Sequence, residues 1–289
     1  MKTYQSESFA LAYKNILEDL LKTPKYIVSP RAYKSHELTN VLIEILDPKL
    51  WAYANTKRST QIKYCIAEFA WYFAGRNDAD FIIPHAKFWD SIKNDDGTIN
   101  SSYGYLLFNK TNEHNLTQYN WAISQLKEDK DTRQAIMHLN LPMHQYFKNK
   151  DFVCTMSCQA MIRDNKLHFN VNMRSNDAIL GLPTDIAFFC VLQQQMLFHL
   201  KKYYPNLELG SYTHYVGSLH VYEKHFNLID EMLCHNFTKL YTPLVDCELV
   251  TETGCPHEIS KLESFILTKQ KDTTNSKFIQ WCTEEISLW

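Results

Sequence analysis

Glycine is scarce in this sequence, with only 7 glycines among 289 residues. The nearest neighbours among them, such as Gly97 and Gly104, are seven positions apart. A dinucleotide-binding fingerprint needs G-x-G-x-x-G and a phosphate loop needs G-x-x-x-x-G-K, so neither motif is present. If this protein binds phosphate, arginine side chains are therefore expected to bind it, because a glycine-lined backbone loop is not available.

The sequence also lacks long apolar runs and an excess of charge of either sign. The longest apolar runs, such as residues 186–192, are far shorter than the ~20 residues of a membrane span. The 30 Lys and Arg residues oppose 32 Asp and Glu, so nothing indicates binding to nucleic acid polymers or to membranes. The apolar stretch at the amino terminus carries charges throughout and does not resemble a secretory signal. A soluble, cytoplasmic protein is expected.

The 8 cysteines show no paired spacing and are expected to be reduced thiols, of which one or two at most carry chemistry. Cys154 and Cys158 form a C-x-x-x-C pair without a second pair, and the histidines do not have the spacing of zinc ligands. No metal site is predicted. Cys158 is expected to pack in the core, on the same strand face as Cys154.

No repeat, low-complexity segment or linker divides the chain, so residues 1–289 are expected to form one domain, with 240–289 as a weakly patterned carboxyl-terminal extension. Apolar spacing predicts helices over 6–22, 59–74, 114–129, 186–203 and near 221–234, and less clearly over 36–46. Apolar, aromatic and β-branched residues predict strands over 133–140, 151–162, 166–173 and around 207–216, with Asp164-Asn165 as a hairpin turn. Strands clustered between helices predict an α+β fold with a mixed sheet.

The most informative window is residues 152–186, where an Arg-Ser-Asn-Asp run (174–177) lies in a predicted strand hairpin. Arg and Asp side chains are rarely buried unless they are paired or bind a ligand. Arg174 beside the Ser175 hydroxyl would anchor a phosphate dianion through charge-assisted hydrogen bonds. An internal Arg–Asp salt bridge accounts for these residues equally well when they are taken alone.

The same window resembles the thymidylate synthase superfamily, in which a catalytic cysteine, a hairpin, Arg-Ser-x-Asp, Leu-Gly-x-Pro and a base-reading residue follow one another. Counting back from Gly181-Leu182-Pro183 puts the nucleophile at Cys154. Further segments match the family's landmarks in order, namely AEFAWYFAGR (67–76), FWD (88–90), SSYG (101–104), TRQAIM (132–137) and VGSLHVYEKH (216–225). The resemblance runs from roughly residue 58 to 226 and implies a thymidylate synthase-like fold that dimerises across its sheet.

The resemblance implies a role for each matched residue. Cys154 is the expected nucleophile, and Glu68 is expected to organise the proton relay and the attacking water. The residues expected to bind the nucleotide are Arg174 and Ser175 (5′-phosphate), Arg133 (the partner subunit's phosphate), Gln159, His220 and Tyr222 (3′-hydroxyl), Asp185 (base) and, with a looser match, Arg31. Asp177, Trp89 and Tyr103 are expected to contact 5,10-methylenetetrahydrofolate. Because the residue matching Arg133 reaches the partner's site in this family, the active enzyme is expected to be a homodimer.

Departures from the synthases resemble the phage deoxycytidylate hydroxymethylases within this superfamily. Thr155 stands where the synthases have His after the nucleophile, and Asp185 stands where they have Asn. Residues 216–220 read Val-Gly-Ser-Leu-His where the synthases have G-G-D-x-H. Gln134 replaces a second family arginine and leaves one phosphate contact without a match. Two of these assignments have an equally good alternative. Trp89 is as typical of a core residue as of a cofactor contact, and Arg31 is as typical of a solvated loop as of a phosphate contact.

Asp185 also has a chemical interpretation of its own. An Asn side chain complements the O4 and N3–H edge of uracil, whereas cytosine offers an N4 amino donor and a bare N3 acceptor. A carboxyl group can accept from N4 and share a proton with N3, which would draw electrons from the ring and ease attack at C6. Taken alone, Asp185 is also typical of the N-cap of the helix predicted over 186–203.

The resemblance implies that Cys154 adds to C6 of a pyrimidine nucleoside monophosphate, so that C5 attacks the methylene of the folate. Water at the next step gives a 5-hydroxymethyl product, whereas hydride gives a methyl product and dihydrofolate. Hydroxymethylation of dCMP is the expected reaction. A dCMP methylase, a variant thymidylate synthase, a hydroxymethylase of CMP or dUMP, and a non-enzymatic nucleotide-binding homologue are the alternatives. If the source is a virus, the expected location is the cytoplasm of its host.

Overall fold

The computed structural model describes residues 1–250 and 257–287, except for the side chain of Arg31. Its strands are β1 (Lys2–Ser6), β2 (Tyr26–Val28), β3 (Ser35–Ile45), β4 (Ala52–Ala54), β5 (Ile136–His138), β6 (Thr155–Arg163), β7 (Lys166–Asp177), β8 (Glu208–Tyr222) and β9 (Thr238–Leu240). Its α-helices are α1 (Phe9–Lys22), α2 (Ile62–Phe73), α3 (Ala79–Ile82), α4 (Phe88–Ile92), α5 (Gln118–Glu128), α6 (Leu182–Leu200), α7 (Phe226–Leu233), α8 (His257–Thr268) and α9 (Lys277–Ser287). A π-helix spans Tyr105–Asn109, and short 3₁₀ turns span Pro30–Ala32, Pro142–His144 and Glu223–His225.

The main sheet is mixed, with the strand order β1-β3-β8-β7-β6-β5 and β2 added beside β3. The pairs β1–β3 and β7–β8 are parallel, and the other neighbours in this sheet are antiparallel. Strands β4 and β9 pair with each other in a separate small sheet. This arrangement confirms the predicted α+β fold with a mixed sheet.

One face of the main sheet forms the core with the helices. Along β7, the side chains of Leu167, Phe169, Val171 and Met173 are at most 1% exposed, while the residues between them are half-buried. This period of two is that of a strand with one face on a core. Helix α6 packs on β7 and β8 and is buried along nearly its whole length. Its Gln193 amide nitrogen donates to the Leu167 carbonyl oxygen at 2.8 Å, so this polar group is paired inside the core.

The hairpin between β6 and β7 forms as predicted. Asp164 and Asn165 have φ angles of 48° and 57°. A two-residue type I′ turn needs this left-handed conformation at both positions, and Asp and Asn adopt it more readily than other side chains. The turn fixes the register of the hairpin and so brings the segment before β6 next to residue 174.

Two predicted elements differ from the structure. Residues 36–46 lie largely in strand β3 and do not form the helix that their spacing weakly suggested. Val41, Ile43 and Ile45 are fully buried at alternate positions, and β3 pairs with β1 on one side and β8 on the other. Long-range strand pairing therefore outweighs a weak helical pattern. The strand predicted around 207–216 continues to the end of β8, so the helix predicted near 221–234 begins only with α7.

The carboxyl-terminal region packs on α2. Helices α8 and α9 both contact α2. Arg76, just after α2, forms ion pairs with Asp78 at 2.8 Å and with Glu263 of α8 at 3.0 Å. Glu248 lies 2.9 Å from the Nε2 atom of His199 in α6. These contacts attach the extension to the helices around the sheet, while the assignment of residues 1–289 to one domain stays a prediction.

Candidate active site

Cys154 lies immediately before β6, and Arg174 lies near the end of the neighbouring strand β7. The Arg174 Nη2 atom is 3.4 Å from the Cys154 Sγ atom, and the Arg174 backbone N–H donates to the Cys154 carbonyl oxygen at 2.9 Å. The guanidinium also donates to the carbonyl oxygens of Phe152 and Val153 and lies 4.7 Å from the centroid of the Phe152 ring. Arg174 therefore makes these contacts and not the internal Arg–Asp salt bridge that was the alternative interpretation of the 174–177 run. They put a permanent positive charge beside a half-buried thiol.

Parallel pairing of β7 with β8 brings the candidate phosphate and sugar contacts together. Ser175 is opposite Ser218, and Asp177 is opposite His220. The Ser175 Oγ atom lies 3.5 Å from the His220 Nδ1 atom. The rings of His220 and Tyr222 are 5.1 Å apart, as positions i and i+2 on one face of a strand require. A hydroxyl and an imidazole therefore lie within one cluster at the end of β7.

Asp177 uses only one of its carboxyl oxygens within the described part of the chain. Oδ1 accepts hydrogen bonds from the backbone N–H groups of Ile179 at 2.7 Å and Leu180 at 2.9 Å, which fixes the side chain at the turn before α6. Oδ2 is buried and has no hydrogen-bond partner among the described residues. Burying an unpaired polar atom is costly, so this oxygen fits a ligand that brings an N–H donor.

Asp185 lies in the first turn of α6, which begins at Leu182 with Gly181 as its N-cap. The alternative interpretation of Asp185 as the N-cap is therefore wrong. The Tyr103 hydroxyl donates to the Asp185 Oδ1 atom at 3.2 Å. Burial raises the pKa of the Asp185 carboxyl to about 7, although hydrogen bonds from Tyr103 and Asn176 oppose the rise. This carboxyl can hold or release a proton near neutral pH.

Close packing on α2 and α6 holds Tyr103 in place. Its ring stacks on Tyr72 and on Phe189, with the centroids 5.4 Å apart in each case. At the next residue, a Cβ atom on Gly104 would lie 1.9 Å from the Tyr72 carbonyl oxygen, so only glycine allows the chain to approach α2 this closely. The approach sets the position of the hydroxyl that contacts Asp185.

Glu68 is buried on α2, with 5% of its surface exposed. Its Oε1 atom accepts a hydrogen bond from the Tyr64 hydroxyl at 2.6 Å, and the Trp89 indole N–H donates to the Tyr64 oxygen at 2.9 Å. Burial raises the pKa of Glu68 to about 8; the Tyr64 hydrogen bond opposes the rise and the charge of Asp185 adds to it. Glu68 is therefore mostly protonated at neutral pH. Trp89, a candidate cofactor contact, is 6% exposed and supports Tyr64 from behind.

A β-bulge shapes the start of β6. The register of β6 against β7 shifts between Thr155 and Ser157. Because of this shift, Thr155 and Cys158 are both fully buried although they are three positions apart, while Cys154 is half-buried. Cys158 packs in the core as predicted, and Cys154, just before the first residue of β6, is partly buried against the same core, so that their sharing a strand face stays a prediction. The buried Thr155 hydroxyl lies within hydrogen-bonding reach of the Tyr103 hydroxyl.

The arrangement of these groups on a mixed sheet has counterparts in known proteins. The thymidylate synthase family model matches residues 41–260 of this chain. The chain belongs to the thymidylate synthase family. Members of this family transfer a one-carbon unit from 5,10-methylenetetrahydrofolate, their co-substrate, to C5 of a pyrimidine nucleotide. Folate-dependent one-carbon transfer is therefore the general activity of the protein.

Relatives with different substrates resemble this thymidylate synthase family member. Deoxycytidylate 5-hydroxymethyltransferase of Enterobacteria phage T6 is 31% identical over 220 residues, which cover 73% of this chain and 85% of that protein. Deoxyuridylate hydroxymethyltransferase of Bacillus phage SP01 is 28% identical over 239 residues, which cover 77% of this chain and 59% of that protein. Thymidylate synthase 1 of Bacillus subtilis (strain 168) is 31% identical over 179 residues, which cover 60% of this chain and 61% of that protein.

A solved structure agrees with the fold. Thermostable thymidylate synthase A from Bacillus subtilis superimposes with a TM-score of 0.67 at 23% sequence identity, over 83% of this chain and 90% of that chain. This similarity confirms the predicted thymidylate synthase-like fold.

Two candidate residues, Arg133 and Gln159, lie outside the cluster described above, and the side-chain position of a third is not described. Arg133 precedes the edge strand β5, and its side chain is exposed. Gln159, in the middle of β6, donates through its Nε2 atom to the Arg133 carbonyl oxygen at 2.9 Å. The side chain of Arg31 is outside the described part of the structure, so its proposed phosphate contact stays a prediction.

The structure also adds residues that were not identified from the sequence. Tyr64, which bonds Glu68, is one turn away on the same helix, and that spacing was an available signal. Asn176 lies inside the Arg-Ser-Asn-Asp run but has no assigned role there. His214 is buried in β8 and carries no sequence signal of its own, because only the folded sheet brings it within 3.2 Å of Asn176.

A metal site and a membrane-spanning helix are both absent from the described ranges, residues 1–250 and 257–287. They contain no group of three or more His, Cys, Asp or Glu side chains placed to hold a metal ion. They also contain no helix that is both long and apolar enough to cross a bilayer.

Proposed function

We propose that this protein hydroxymethylates dCMP at C5, with 5,10-methylenetetrahydrofolate as the one-carbon donor and water as the second reactant. The observation that carries the proposal is the Asp185 carboxyl, which Tyr103 holds and whose pKa burial raises to about 7. The similarity to the deoxycytidylate 5-hydroxymethyltransferase of phage T6 over most of both chains supports the same substrate.

A carboxyl that titrates near neutrality matches cytosine better than uracil. In its protonated form, Asp185 can donate to the bare N3 atom of cytosine while its other oxygen accepts from the N4 amino group. Uracil presents an acceptor at O4 and a donor at N3; a protonated Asp185 could pair with that edge, but an ionised one would face O4 with no proton to offer, whereas cytosine protonated at N3 donates to both carboxylate oxygens. The raised pKa of Asp185 lets the proton be shared with N3 at the pH of the cell.

Cys154 is the proposed nucleophile, and Arg174 stabilises its thiolate from 3.4 Å. The thiolate forms a bond to C6 of the base, and the electron pair of the C5–C6 double bond moves toward C5 and N3. The proton that Asp185 shares with N3 offsets the charge that develops there. C5 then accepts the one-carbon unit of the folate and loses its proton, tetrahydrofolate leaves, and water adds to the exocyclic methylene that remains. The C5–C6 double bond re-forms as the Cys154 thiolate departs from C6.

The neighbouring groups fit the rest of the two substrates. Arg174 and Ser175 would hold the 5′-phosphate, and His220 with Tyr222 would hold the 3′-hydroxyl of the sugar. The unpaired Oδ2 atom of Asp177 fits an N–H donor of the pterin ring, because its other oxygen is already fixed by two backbone groups.

Water, not hydride, is the proposed final reactant. The Thr155 hydroxyl is buried within hydrogen-bonding reach of the Tyr103 hydroxyl. Glu68 is close enough to Asp185 for their charges to interact, and with a raised pKa of about 8 a minor fraction of Glu68 is ionised at neutral pH. A hydroxyl that can accept a hydrogen bond from water, and a carboxyl whose ionised fraction can take a proton from it, support addition of water to the exocyclic methylene.

We also propose that the active form is a homodimer across the outer face of the main sheet. Arg133 is exposed at the β5 edge, so its guanidinium is available to a phosphate in the partner's site. Alternate residues of β6 and β7, such as Gln159 and Asn170, form the sheet face opposite the core and are half-buried in the single chain.

One assay tests the reaction. The protein is incubated with the folate and with dCMP, CMP or dUMP separately, and the product is weighed by mass spectrometry. We expect dCMP to gain one CH2O unit without the absorbance of dihydrofolate. A methyl product accompanied by dihydrofolate would contradict the proposal, and preferential turnover of dUMP would assign the protein to the deoxyuridylate reaction instead.

Two substitutions test the residues. Cys154→Ser should abolish turnover, with Cys158→Ser as the matched control that keeps the nucleophile. Asp185→Asn should shift the preference from dCMP toward dUMP, because an amide complements uracil. Unchanged preference for dCMP would show that Asp185 does not read the base.

A further inference from the structure

Asn176 connects the active site with the interior of the sheet. It lies at the end of β7 and is 3% exposed. Its amide nitrogen is 3.2 Å from the His214 Nε2 atom and 3.0 Å from the Met173 sulfur atom. The same side chain hydrogen-bonds the Asp185 carboxyl. Asn176 therefore joins the candidate base-reading residue to a buried histidine.

His214 is fully buried on β8 and has one partner at each ring nitrogen. Its Nε2 atom faces Asn176, and its Nδ1 atom is 2.7 Å from the Tyr212 hydroxyl. Burial lowers the pKa of His214 to about 3, so the ring is neutral at the pH of the cell. A neutral imidazole carries one N–H donor and one acceptor nitrogen, and these exchange places between its two tautomers.

Gly181 is what lets Asn176 and Asp185 lie side by side. A Cβ atom at this position would be 2.6 Å from the Asn176 Oδ1 atom and 3.3 Å from the Asp185 Oδ2 atom. The first distance is shorter than a real contact, so any side chain at this position would displace the Asn176 carboxamide from its place beside Asp185. With glycine at the N-cap of α6, no side chain lies between Asn176 and Asp185.

We infer that Asn176 and His214 are positioning residues that keep the Asp185 carboxyl able to switch between its two protonation states, and so set the preference for cytosine. The part of this inference that concerns cytosine rests on the proposed function, in which Asp185 binds the base of dCMP. The chain of groups runs from Tyr212 through His214 and Asn176 to Asp185.

The chain can pair Asp185, Asn176 and His214 in either protonation state of the carboxyl. When Asp185 is protonated, its O–H donates to Asn176 Oδ1, the Asn176 amide donates to His214 Nε2, and His214 Nδ1–H donates to the Tyr212 oxygen. When Asp185 is ionised, the Asn176 carboxamide is rotated by half a turn, so that its NH2 group donates to the carboxylate, its Oδ1 atom accepts from His214 Nε2–H, and His214 Nδ1 accepts from the Tyr212 hydroxyl. A buried polar group is costly when it is unpaired, and these three side chains have a partner in both states.

Other titratable groups also act on Asp185. They are Tyr103 before the π-helix, Glu68 and Tyr72 on α2, and Tyr212 on β8, which is itself the end of the chain; Cys154, with Arg174 beside it, acts on Tyr103. A substitution at Asn176 leaves all these side chains in place, and one at His214 removes only the partner of Tyr212, so a change in the titration of Asp185 that both substitutions cause can be assigned to the chain.

The decisive measurement follows the Asp185 carboxyl directly. Protein labelled with 13C at aspartate carboxyl carbons is titrated by NMR without any nucleotide, and Asp185→Asn identifies the Asp185 signal. Asn176→Leu removes the hydrogen bond to both forms of the carboxyl, and since the bond to the charged carboxylate is the stronger one, the midpoint of the titration should move upward by about one pH unit. Asn120→Leu, the same substitution on α5, is the control and should leave the midpoint unchanged.

A second pair of variants keeps the test independent of the folding of Asn176→Leu. His214→Phe fills the site but cannot hold the amide, whereas His214→Gln keeps one donor and one acceptor. We expect His214→Phe to raise the titration midpoint and to lower the ratio of kcat/KM for dCMP over dUMP by about tenfold, because an Asn176 amide that His214 no longer holds makes a weaker hydrogen bond to the charged carboxylate. His214→Gln should restore much of both.

Failure of this inference and failure of the proposed function give different results. An unchanged carboxyl titration in both Asn176→Leu and His214→Phe would overturn the inference, whatever the substrate. Absence of turnover with dCMP in the wild-type protein would overturn the proposed function but would leave the coupling of Asn176 to Asp185 measurable.

Discussion

The Arg174 guanidinium and the Cys154 thiol are 3.4 Å apart, and a backbone hydrogen bond of 2.9 Å joins the same two residues. The side-chain contact is therefore built into the pairing of β6 with β7 and does not depend on a flexible approach. An arginine is charged at every accessible pH, and a neighbouring cation favours the thiolate form of a cysteine. A nucleotide phosphate that reaches Arg174 would consequently arrive beside the nucleophile.

Replacing Arg174 with glutamine should slow the alkylation of Cys154 by iodoacetamide at neutral pH by about tenfold or more. Each ~1.4 kcal/mol of lost thiolate stabilisation reduces the thiolate population tenfold. The rate is read from the mass of the Cys154 peptide, with the exposed Cys234 as an internal reference. Arg163→Gln, at the far end of β6, is the matched control. Equal rates in Arg174→Gln and wild type would show that the guanidinium does not act on the thiol.

The stability of the protein should carry a pH dependence from Glu68. Its pKa is raised from 4.5 to about 8, so between these values the folded state binds more protons than the unfolded chain. Rising pH therefore destabilises the folded state across that window. Glu68→Gln removes this cost, and its free energy of unfolding relative to wild type should increase from pH 5 to pH 9 by a few kcal/mol, at about 1.4 kcal/mol per pH unit of pKa difference.

Urea denaturation of both proteins at the two pH values measures this difference. Glu113→Gln, in an exposed loop, should show a difference from wild type that does not change with pH. A difference at Glu68 that is equally independent of pH would mean that the carboxyl is ionised in the folded state at pH 5.

Asp177→Asn should weaken the folate more than the nucleotide. The amide oxygen of Asn can still accept from the backbone N–H groups of Ile179 and Leu180, so the turn is kept. The unpaired Oδ2 acceptor becomes an NH2 donor, which faces the pterin donors with the wrong polarity. We expect KM for 5,10-methylenetetrahydrofolate to rise about 10- to 100-fold, in keeping with the loss of one hydrogen bond to a charged group.

Steady-state kinetics with each substrate varied in turn checks this expectation. Asp80→Asn, on α3, is the control for an Asp-to-Asn change outside the site. A rise in KM for the nucleotide alone would place Asp177 against the nucleotide and not the folate.

Mixing two inactive variants tests the role of Arg133. If each site combines Cys154 of one chain with Arg133 of the partner, a mixture of Arg133→Ala and Cys154→Ser should regain activity. In a mixed dimer one of the two sites contains both wild-type residues. With random exchange of subunits, about a quarter of the wild-type activity should return. Analytical ultracentrifugation of the mixture establishes the oligomeric state, and a mixture that stays inactive while its subunits exchange would contradict a shared site.

Much of the site could be predicted because its residues lie in contiguous motifs. The hairpin that carries Cys154 and Arg174 follows from alternating residues and an Asp-Asn turn, which are local signals. Asp185 could be placed near the start of a helix for the same reason. The strand β3 could not be predicted, since its character depends on partners more than 100 residues away in β8.

The two chains of hydrogen bonds that support the site could not be predicted from the sequence, for a related reason. The order Trp89, Tyr64, Glu68 joins α4 to α2, and the order Tyr212, His214, Asn176 joins β8 to β7. Such contacts exist only after distant segments pack. The bulge at Thr155 was missed because a bulge shifts the alternation of buried residues without any change in composition.

The central position of β8 has a consequence for folding. This strand pairs with β3 near the start of the chain and with β7, and the ion pair between Lys34 and Glu223 joins residues 189 positions apart. A growing or truncated chain therefore lacks the strand that brings His220 to Asp177 until residue 222 of 289 is available, and pairing over such separations is slow. A nucleotide that binds only the folded protein would oppose global unfolding, and would therefore slow the exchange of backbone amide hydrogens throughout the sheet. Because its site needs β8 in place, nucleotide binding would show that the whole sheet has formed.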